Sequence, residues 1–292
     1  MRLYFIVFLL ISAVQIHAQE LKNGNTAEIS ETRSFYKTIC GNRVIDSPKG
    51  QFYIGFGYNK EWYTKSNINI TNKSGDLDFT LHKMTAKDRP KFGEIFRVAV
   101  SIPQYGYRFG YWLPSSHFGI ELNFDHAKYV VDEYQTVRLT GRINDKMYDL
   151  DTLIHPVNFF DMEHTDGANF LLLNLMFRRP LVQSRFLTVY GIAKLGGGIV
   201  IPRTDVTLFG TRMNNRFHIA GQVAGLETGF RIEIVKFFWI EPTIKGVVTN
   251  FNNVLAVGAD ERISHRFGAF MVMAHAGFSV PLGKVHSGRL PR

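Results

Sequence analysis

Apolar and polar residues alternate with a period of two along residues 102–125. In the first half, aromatic residues fall on one face and small or charged residues on the other, namely Tyr105, Tyr107, Phe109 and Tyr111 against Gln104, Gly106, Arg108 and Gly110. The second half repeats the pattern over residues 118–125, after a Leu-Pro-Ser-Ser turn. Since successive side chains of a strand point to opposite faces, this segment predicts a β-hairpin.

Glycine positions indicate which face of this hairpin points inward. Glycine weakens strands, so it is not favoured on a strand face that is exposed to water. A narrow barrel lumen, in contrast, needs small residues beside large charged ones. Gly106, Gly110 and Gly119 share a face with Arg108 and Glu121. The pattern therefore favours a membrane barrel, in which the polar face lines the lumen and the aromatic face meets lipid.

The same alternation recurs along the rest of the chain. It predicts strands or hairpins over residues 52–61, 168–177, 186–199, 222–248 and 267–282. These segments predict an all-β, antiparallel up-and-down transmembrane β-barrel of about eight strands, with ten as the alternative. Tight turns are expected near residues 114–116, 180–184 and 235–236, with Arg178-Arg179-Pro180 ending a strand.

Two long stretches alternate less regularly. Residues 65–98 contain a hairpin-like pattern around an Asn-Lys-Ser-Gly turn, and residues 130–164 contain a strand-like segment followed by an acidic one. Barrels of this kind have short periplasmic turns and longer extracellular loops. Both stretches are therefore expected to be extracellular loops that carry recognition.

The N-terminus predicts export. Residues 1–18 have a basic start at Arg2, an apolar core and a small residue at Ala18, which is typical of a secretory signal peptide. Residues 19–49 predict a polar periplasmic segment, residues 50–282 the barrel and residues 283–292 a tail. After the N-terminus no apolar stretch reaches the roughly 18 residues of a membrane helix, so a membrane location requires a barrel.

Composition narrows the partners. The formal net charge of +9 suits contact with anionic outer-membrane lipids and lipopolysaccharide. We expect no nucleic-acid partner, because the chain is exported and has no recognition motif. The single cysteine, Cys40, precludes an intrachain disulfide or a cysteine-based metal cluster. Gly196-Gly197-Gly198 lacks the Lys-Ser/Thr of a phosphate loop, so the sequence predicts no nucleotide site, and no cofactor is predicted. We expect the protein to be a monomer.

The inward faces carry charge. An eight-stranded barrel is just wide enough for its own side chains, and unpaired buried charge is costly. We therefore expect a paired network across the lumen, formed by Arg108, Glu121, Asp125, Glu227, Arg231, Glu241 and Lys245. Such a filled lumen favours a structural or surface ligand-binding protein that is neither a wide pore nor an enzyme.

Two other functions stay open. A hydrolase acting on lipid A or phospholipid in the outer leaflet would need a histidine with a serine and a carboxylate, for which His126 beside Asp125, or His164 near Asp166, are candidates. However, the chain has no Gly-x-Ser-x-Gly motif. A soluble lipocalin-like carrier would have the two strand faces inverted.

Glu163, His164 and Asp166 form a possible loop site. Three potential ligands within a few residues do not make a closed metal site, so no metal is predicted. The alternative is that Asp166-Gly167 is a turn between loop and strand.

Three segments carry a family resemblance. The chain resembles small outer-membrane β-barrel proteins of the Bacteroidetes group. The resemblance lies in the predicted signal peptide, the alternating strands and three segments: DFTLHKMTAKDRP (78–90), FDHAKYVV (124–131) and EHTDGAN (163–169). The resemblance covers roughly residues 50–282 and implies the fold and the outer membrane of a Gram-negative cell, but no reaction. Such barrels often end on an aromatic residue, whereas here Phe278 is followed by a tail through Arg292.

Overall fold

The computed structural model describes residues 50–88, 104–114, 116–184, 186–234 and 237–282. The predicted signal peptide, the N-terminal segment with Cys40 and the C-terminal tail lie outside the described residues, as does part of the first predicted loop (89–98). All regular secondary structure in the described ranges is β-strand, labelled β1 to β17 in chain order. In those ranges no helix has the length and apolar character needed to cross a membrane.

Eight strands form a closed barrel. They are β1 (Gln51–Tyr63), β5 (Tyr105–Trp112), β6 (Phe118–Asp125), β11 (Phe170–Gln183), β12 (Leu187–Val200), β15 (Gly221–Ile234), β16 (Phe238–Leu255) and β17 (Arg262–Pro281). Each pairs antiparallel with the next, and β1 pairs with β17 from Gln51↔Pro281 to Tyr63↔Ala269. The predicted eight-stranded antiparallel barrel is confirmed.

The outward and inward faces of the barrel have opposite character. Large apolar side chains are exposed on the outside, including Phe52, Phe109, Leu122, Leu173, Leu195, Leu226, Phe230, Ile244 and Phe278. Charged side chains such as Arg108 and Glu227 are buried on the inside. This polarity is the reverse of that of a water-soluble protein and is typical of a transmembrane barrel. The soluble-carrier alternative, which requires the opposite polarity, is excluded.

Inward-facing glycines make room for large lumen side chains. A Cβ atom at Gly110 would lie 2.1 Å from the ring of Tyr53, and one at Gly55 would lie 2.2 Å from the indole of Trp239. Both distances are shorter than any van der Waals contact. The lumen can therefore hold these rings only because the facing strand positions lack a side chain.

Strand β11 runs past its predicted end. It continues through Pro180 to Gln183, so most of the segment expected to form a turn at 180–184 is strand. There the Ser184 amide donates to the Leu187 carbonyl at 2.8 Å. The register shifts between Pro180 and Val182, where a β-bulge accommodates a residue that has no N–H to donate.

One end of the barrel is covered by a folded β-structure, which we call the cap (described residues 64–88, 126–169, 201–220 and 252–261). Two hairpins extend the barrel sheet from β17, in the order β2 (Ser66–Thr71), β3 (Leu77–Met84), β8 (Thr136–Ile143) and β9 (Lys146–Leu153). A second sheet contains, in spatial order, β14 (Thr211–Asn214), β13 (Asp205–Leu208), β10 (Phe160–Glu163), β7 (Val130–Val131) and β4 (Ala86–Lys87).

Two cap hairpins have turns with positive φ angles at both central residues. Asn144 and Asp145 have φ angles of 47° and 63°, and Phe209 and Gly210 have 50° and 82°. Two consecutive residues with positive φ form the mirror-image turns whose twist matches that of antiparallel strands. In the β2–β3 turn, the Asn72 side-chain oxygen accepts from the amides of Gly75 and Leu77, as the Asn-Lys-Ser-Gly motif predicts.

The cap has an apolar core of its own. Its buried residues include Ile68, Phe79, Leu81, Tyr129, Leu139, Phe160, Met162, Val206 and Leu208, and they pack with Phe170, Phe251 and Phe267 from the upper ends of barrel strands. The two stretches predicted to be long loops with weak hairpin or strand patterns form sheet structure in their described parts, residues 65–88 and 130–164. Residues 201–220, which the sequence did not single out, contribute β13 and β14.

Candidate functional site

The barrel lumen is filled by charged side chains. The structure buries all seven residues predicted to form a lumen network, and places the buried Lys194 of β12 among them. We call these eight residues the central network: Arg108, Glu121, Asp125, Lys194, Glu227, Arg231, Glu241 and Lys245. Four cations and four carboxylates balance in formal charge, whereas the predicted set without Lys194 has one carboxylate in excess.

Lys194 lies at the centre of the network. Its Nζ is 3.0 Å from Glu121 Oε2, 3.2 Å from Glu227 Oε1 and 2.5 Å from Glu241 Oε1. These carboxylates are carried by β6, β15 and β16, so a single ammonium connects three strands besides its own. Because unpaired carboxylates are costly in a buried site, the ammonium of Lys194 stabilises this arrangement.

The remaining ion pairs extend from this centre. Arg108 Nη1 and Lys245 Nζ donate to the two oxygens of Asp125, at 2.7 and 2.6 Å. Arg231 Nε donates to Glu241 Oε2 at 2.6 Å. These pairs connect strands β5, β6, β15 and β16 through their side chains in the lumen.

An aromatic layer lies beside the network on the side away from the cap. The Arg231 guanidinium stacks 3.9 Å from the ring centre of Tyr53 and 4.3 Å from that of Trp239. Arg178 lies 4.3 Å from the ring centre of Trp112 and 3.6 Å from a carboxylate oxygen of Glu233. Stacked guanidinium groups and rings thus occupy the lumen next to the network.

The residues of the possible loop site have separate partners. His164 is buried, with Nδ1 2.8 Å from Thr204 Oγ1, and burial lowers the pKa of His164 to about 3. Asp166 is exposed and pairs with Arg203 at 2.5 Å. Glu163 lies in β10, opposite Asp205 of β13. The three side chains do not converge, and across the described ranges no group of three His, Cys, Asp or Glu residues could hold a metal ion.

The hydrolase candidates also have other partners. His126 Nδ1 lies 2.9 Å from Asn169 Oδ1, and the His126 ring stacks on that of Tyr105 with ring centres 4.6 Å apart. Burial lowers the pKa of His126. Asp125 binds Arg108 and Lys245 in the lumen. Neighbouring residues of a strand point to opposite faces, so Asp125 does not orient the imidazole of His126.

No protein-family model matches the chain, and no curated protein matches it. Among solved structures, it is similar to Ail, the attachment invasion locus protein of Yersinia pestis, at 11% identity and a TM-score of 0.30, over 80% of this chain and 99% of that one. Neisserial surface protein A (NspA) matches at 10% identity and a TM-score of 0.31, over 78% and 98%. The outer membrane protein AlkL matches at 12% identity and a TM-score of 0.30, over 83% and 94%.

These scores are too low to support an argument, and the class of the protein follows from its own geometry. An antiparallel barrel that closes on itself, exposes a broad apolar surface and buries charge in its lumen is the architecture of outer-membrane proteins. The chain is an outer-membrane β-barrel of the small type, and its location is the cell outer membrane.

Proposed function

We propose that this protein is a non-porous outer-membrane barrel that presents its cap at the cell surface to bind a ligand, and that it is not an enzyme. The observation that carries the proposal is the closed central network beneath a cap with its own packed core. The Bacteroidetes-type resemblance of the sequence remains part of this proposal.

The filled lumen argues against transport. Conduction through a pore requires sites that bind a solute weakly enough to release it. Here Lys194 Nζ has three carboxylates within 3.2 Å, and the Arg231 guanidinium lies against two aromatic rings. Opening a path would break several buried ion pairs at once, and each broken pair leaves an uncompensated charge.

The cap provides a rigid surface. Its two sheets enclose an apolar core that is continuous with the upper barrel, so its outer face is held in a fixed shape. Recognition is commonly carried by segments that a rigid scaffold positions in this way. Membrane lipids, lipopolysaccharide and a surface ligand are the partners we propose.

The non-enzymatic assignment rests on the histidines. The Nδ1 atoms of His126 and His164 lie next to an asparagine and a threonine, and among the described residues no serine hydroxyl hydrogen-bonds to either imidazole. A lipid hydrolase would need such a nucleophile and a carboxylate aligned with the same imidazole.

Conductance tests the proposal. The mature protein, inserted into planar lipid bilayers, should show no steady open-channel current at moderate voltage, while a general porin inserted in the same way serves as the conducting control. A stable ohmic conductance from folded protein would overturn the closed-lumen assignment. Acyl release from lipid A in detergent by the wild type, abolished in His126→Gln or His164→Gln, would overturn the non-enzymatic assignment.

A further inference from the structure

The outer wall of the β16–β17 hairpin changes from apolar to polar over a short distance. The large outward-facing side chains are apolar as far as Val248 on β16 and Phe270 on β17. Further towards the cap, the outward-facing Asn250 of β16 lies opposite Arg266 of β17. Trp62 of β1 lies beside Phe270, with ring centres 5.9 Å apart. Aromatic residues of this kind mark the membrane–water interface, so Asn250 and Arg266 lie at the level of lipid headgroups.

Two adjoining depressions, of about 490 and 580 Å³, lie on this polar face. Lys65 and Lys83 line both, Arg266 and Asn250 line the one nearer the barrel wall, and His82 and Arg138 line the other. We call this surface the basic cleft. It continues the lipid-facing wall of the barrel outwards onto the cap sheet.

A β-bulge turns Lys83 towards this face. The register between β2 and β3 shifts between Ser66 and Ile68, Lys83 has a φ of 56°, and its amide donates to Asn67 Oδ1 at 2.9 Å. A bulge re-aims the side chain at the extra residue, so His82 and Lys83 line the same depression although they are neighbours in sequence. The local backbone is thus built to place an additional cation here.

The three cations at the centre of the cleft have no anionic partner. Within the described part of the chain, Lys65, Lys83 and Arg266 form no ion pair, and Arg266 Nε donates to the neutral Asn250 side chain at 2.6 Å. Two carboxylates lie near the rim: Asp149 is paired with Arg138, and Asp78 accepts from Asn69 at 3.3 Å. The centre of the cleft is therefore a site of uncompensated positive charge.

We infer that the basic cleft binds the phosphate groups of an anionic outer-leaflet glycolipid, an inference that rests on the proposed surface role of the cap. Three cations at headgroup level, directly above an apolar wall that acyl chains can contact, match a phosphorylated headgroup with its tails in the membrane. Asn67 and Asn252 line the depression nearer the barrel wall and supply donors for sugar or phosphate oxygens.

Binding of lipid A in detergent micelles tests this inference. The variant Lys65→Gln/Lys83→Gln/Arg266→Gln should bind bisphosphorylated lipid A on the order of a hundredfold more weakly, because each lost cation costs about fivefold. The matched control, Lys73→Gln/Arg142→Gln/Lys146→Gln, removes the same charge from exposed hairpin tips and should bind as the wild type does. Wild-type protein should also bind dephosphorylated lipid A much more weakly than the bisphosphorylated form.

Several results would overturn the inference. Equal binding by the cleft variant and the wild type would do so, as would equal affinity for dephosphorylated lipid A. Displacement of the lipid by inorganic phosphate at similar concentrations would assign the cleft to a soluble anion instead. Should the cleft variant fail to fold, the salt dependence of wild-type binding decides: affinity must fall as ionic strength rises.

The two proposals can fail separately. Steady conductance through the wild-type protein would overturn the closed lumen without affecting the lipid titration. Unchanged lipid binding in the cleft variant would overturn the cleft while leaving the closed lumen in place.

Discussion

Lys194 and Glu241 form a direct ion pair across the interior of the barrel. The Nζ of Lys194 lies 2.5 Å from Glu241 Oε1, although β12 and β16 are separated by β15 in the sheet. Glu241 also accepts from Arg231 at 2.6 Å, so its two oxygens are used by two cations. The contact therefore links strands that share no backbone hydrogen bonds.

Removing the central cation should destabilise the barrel strongly. Lys194→Met leaves Glu121, Glu227 and Glu241 close together without their shared partner, and we expect a loss of about 3–5 kcal/mol in the free energy of unfolding. The measurement is urea unfolding in lipid vesicles, followed by the fluorescence of the buried Trp112 and Trp239. Lys73→Met, at an exposed turn, should change stability little.

A compensating variant tests whether the charges act as a network. Lys194→Met/Glu227→Gln restores the balance of cations and carboxylates, so it should lose less stability than Lys194→Met alone. Strictly additive losses in the two single variants and the double variant would mean that these side chains are not coupled.

Arginine on the outer wall should impair membrane assembly. Leu226 and Phe109 are each 60% exposed on the barrel exterior, where they face hydrocarbon. Leu226→Arg or Phe109→Arg should cost about 2–4 kcal/mol near the bilayer midplane. The measurement is gel electrophoresis of unheated samples, in which the folded and unfolded forms of the protein migrate differently. Met147→Arg, at a 76% exposed cap position, is the control and should fold normally; equal folding of all three variants would contradict the face assignment.

Cysteine labelling should distinguish the two ends of the barrel. In a Cys40→Ala background, Lys73→Cys and Lys146→Cys lie on exposed cap turns, whereas Ser116→Cys lies in the short turn between β5 and β6. A membrane-impermeant thiol reagent should label the first two on intact cells and the third only after lysis. The reverse pattern would mean that the cap faces the periplasm.

Acid should loosen the cap before the barrel. Burial lowers the pKa of His164 from 6.5 to about 3, so between these pH values the unfolded cap takes up a proton that the folded cap does not. The stability contribution is complete above pH 6.5 and falls as pH drops towards 3, by about 1.4 kcal/mol per pH unit. Hydrogen exchange of β10 and β13 should therefore accelerate at acidic pH.

A variant isolates the histidine's share of this response. His164→Gln keeps an amide able to bond the Thr204 hydroxyl but removes the titrating group. Its exchange rates in β10 should depend less on pH than those of the wild type; the neighbouring His265, whose ring lies 5.5 Å away, is unchanged in both. Identical pH slopes in the two proteins would exclude His164 as the cause.

The barrel could be predicted from sequence because strand faces alternate with a fixed period. Phe109 and Arg108 must point to opposite sides whatever the rest of the chain does, and the glycines beside Arg108 identify the crowded side. Which charges meet is a different matter. The pairing of Lys194 depends on how β6, β12 and β16 are staggered around the barrel, and this stagger is not determined by the sequence of any one strand.

The cap was harder to predict for a similar reason. Ile68 and Ile70 alternate with polar residues, as do Phe79 and Leu81, so the hairpin itself was detected. The apolar surface that covers it comes from residues distant in sequence, including Val206 and Leu208 in a stretch with little pattern of its own. The basic cleft was missed because Lys83 reaches it through a bulge that interrupts the alternation.

Strand β17 connects the barrel to the cap. This strand has 20 residues. Its first part, Arg262–His265, pairs with Ile68–Thr71 of β2, and its later part closes the barrel against β1. The first cap hairpin (β2–β3) is thus anchored by a strand that lies far along the chain. Contacts so distant in sequence form late, because the loop they close is long. We therefore expect the cap to mature only once β16 and β17 have paired in the barrel, and we expect a chain truncated before β17 to lack the folded cap surface.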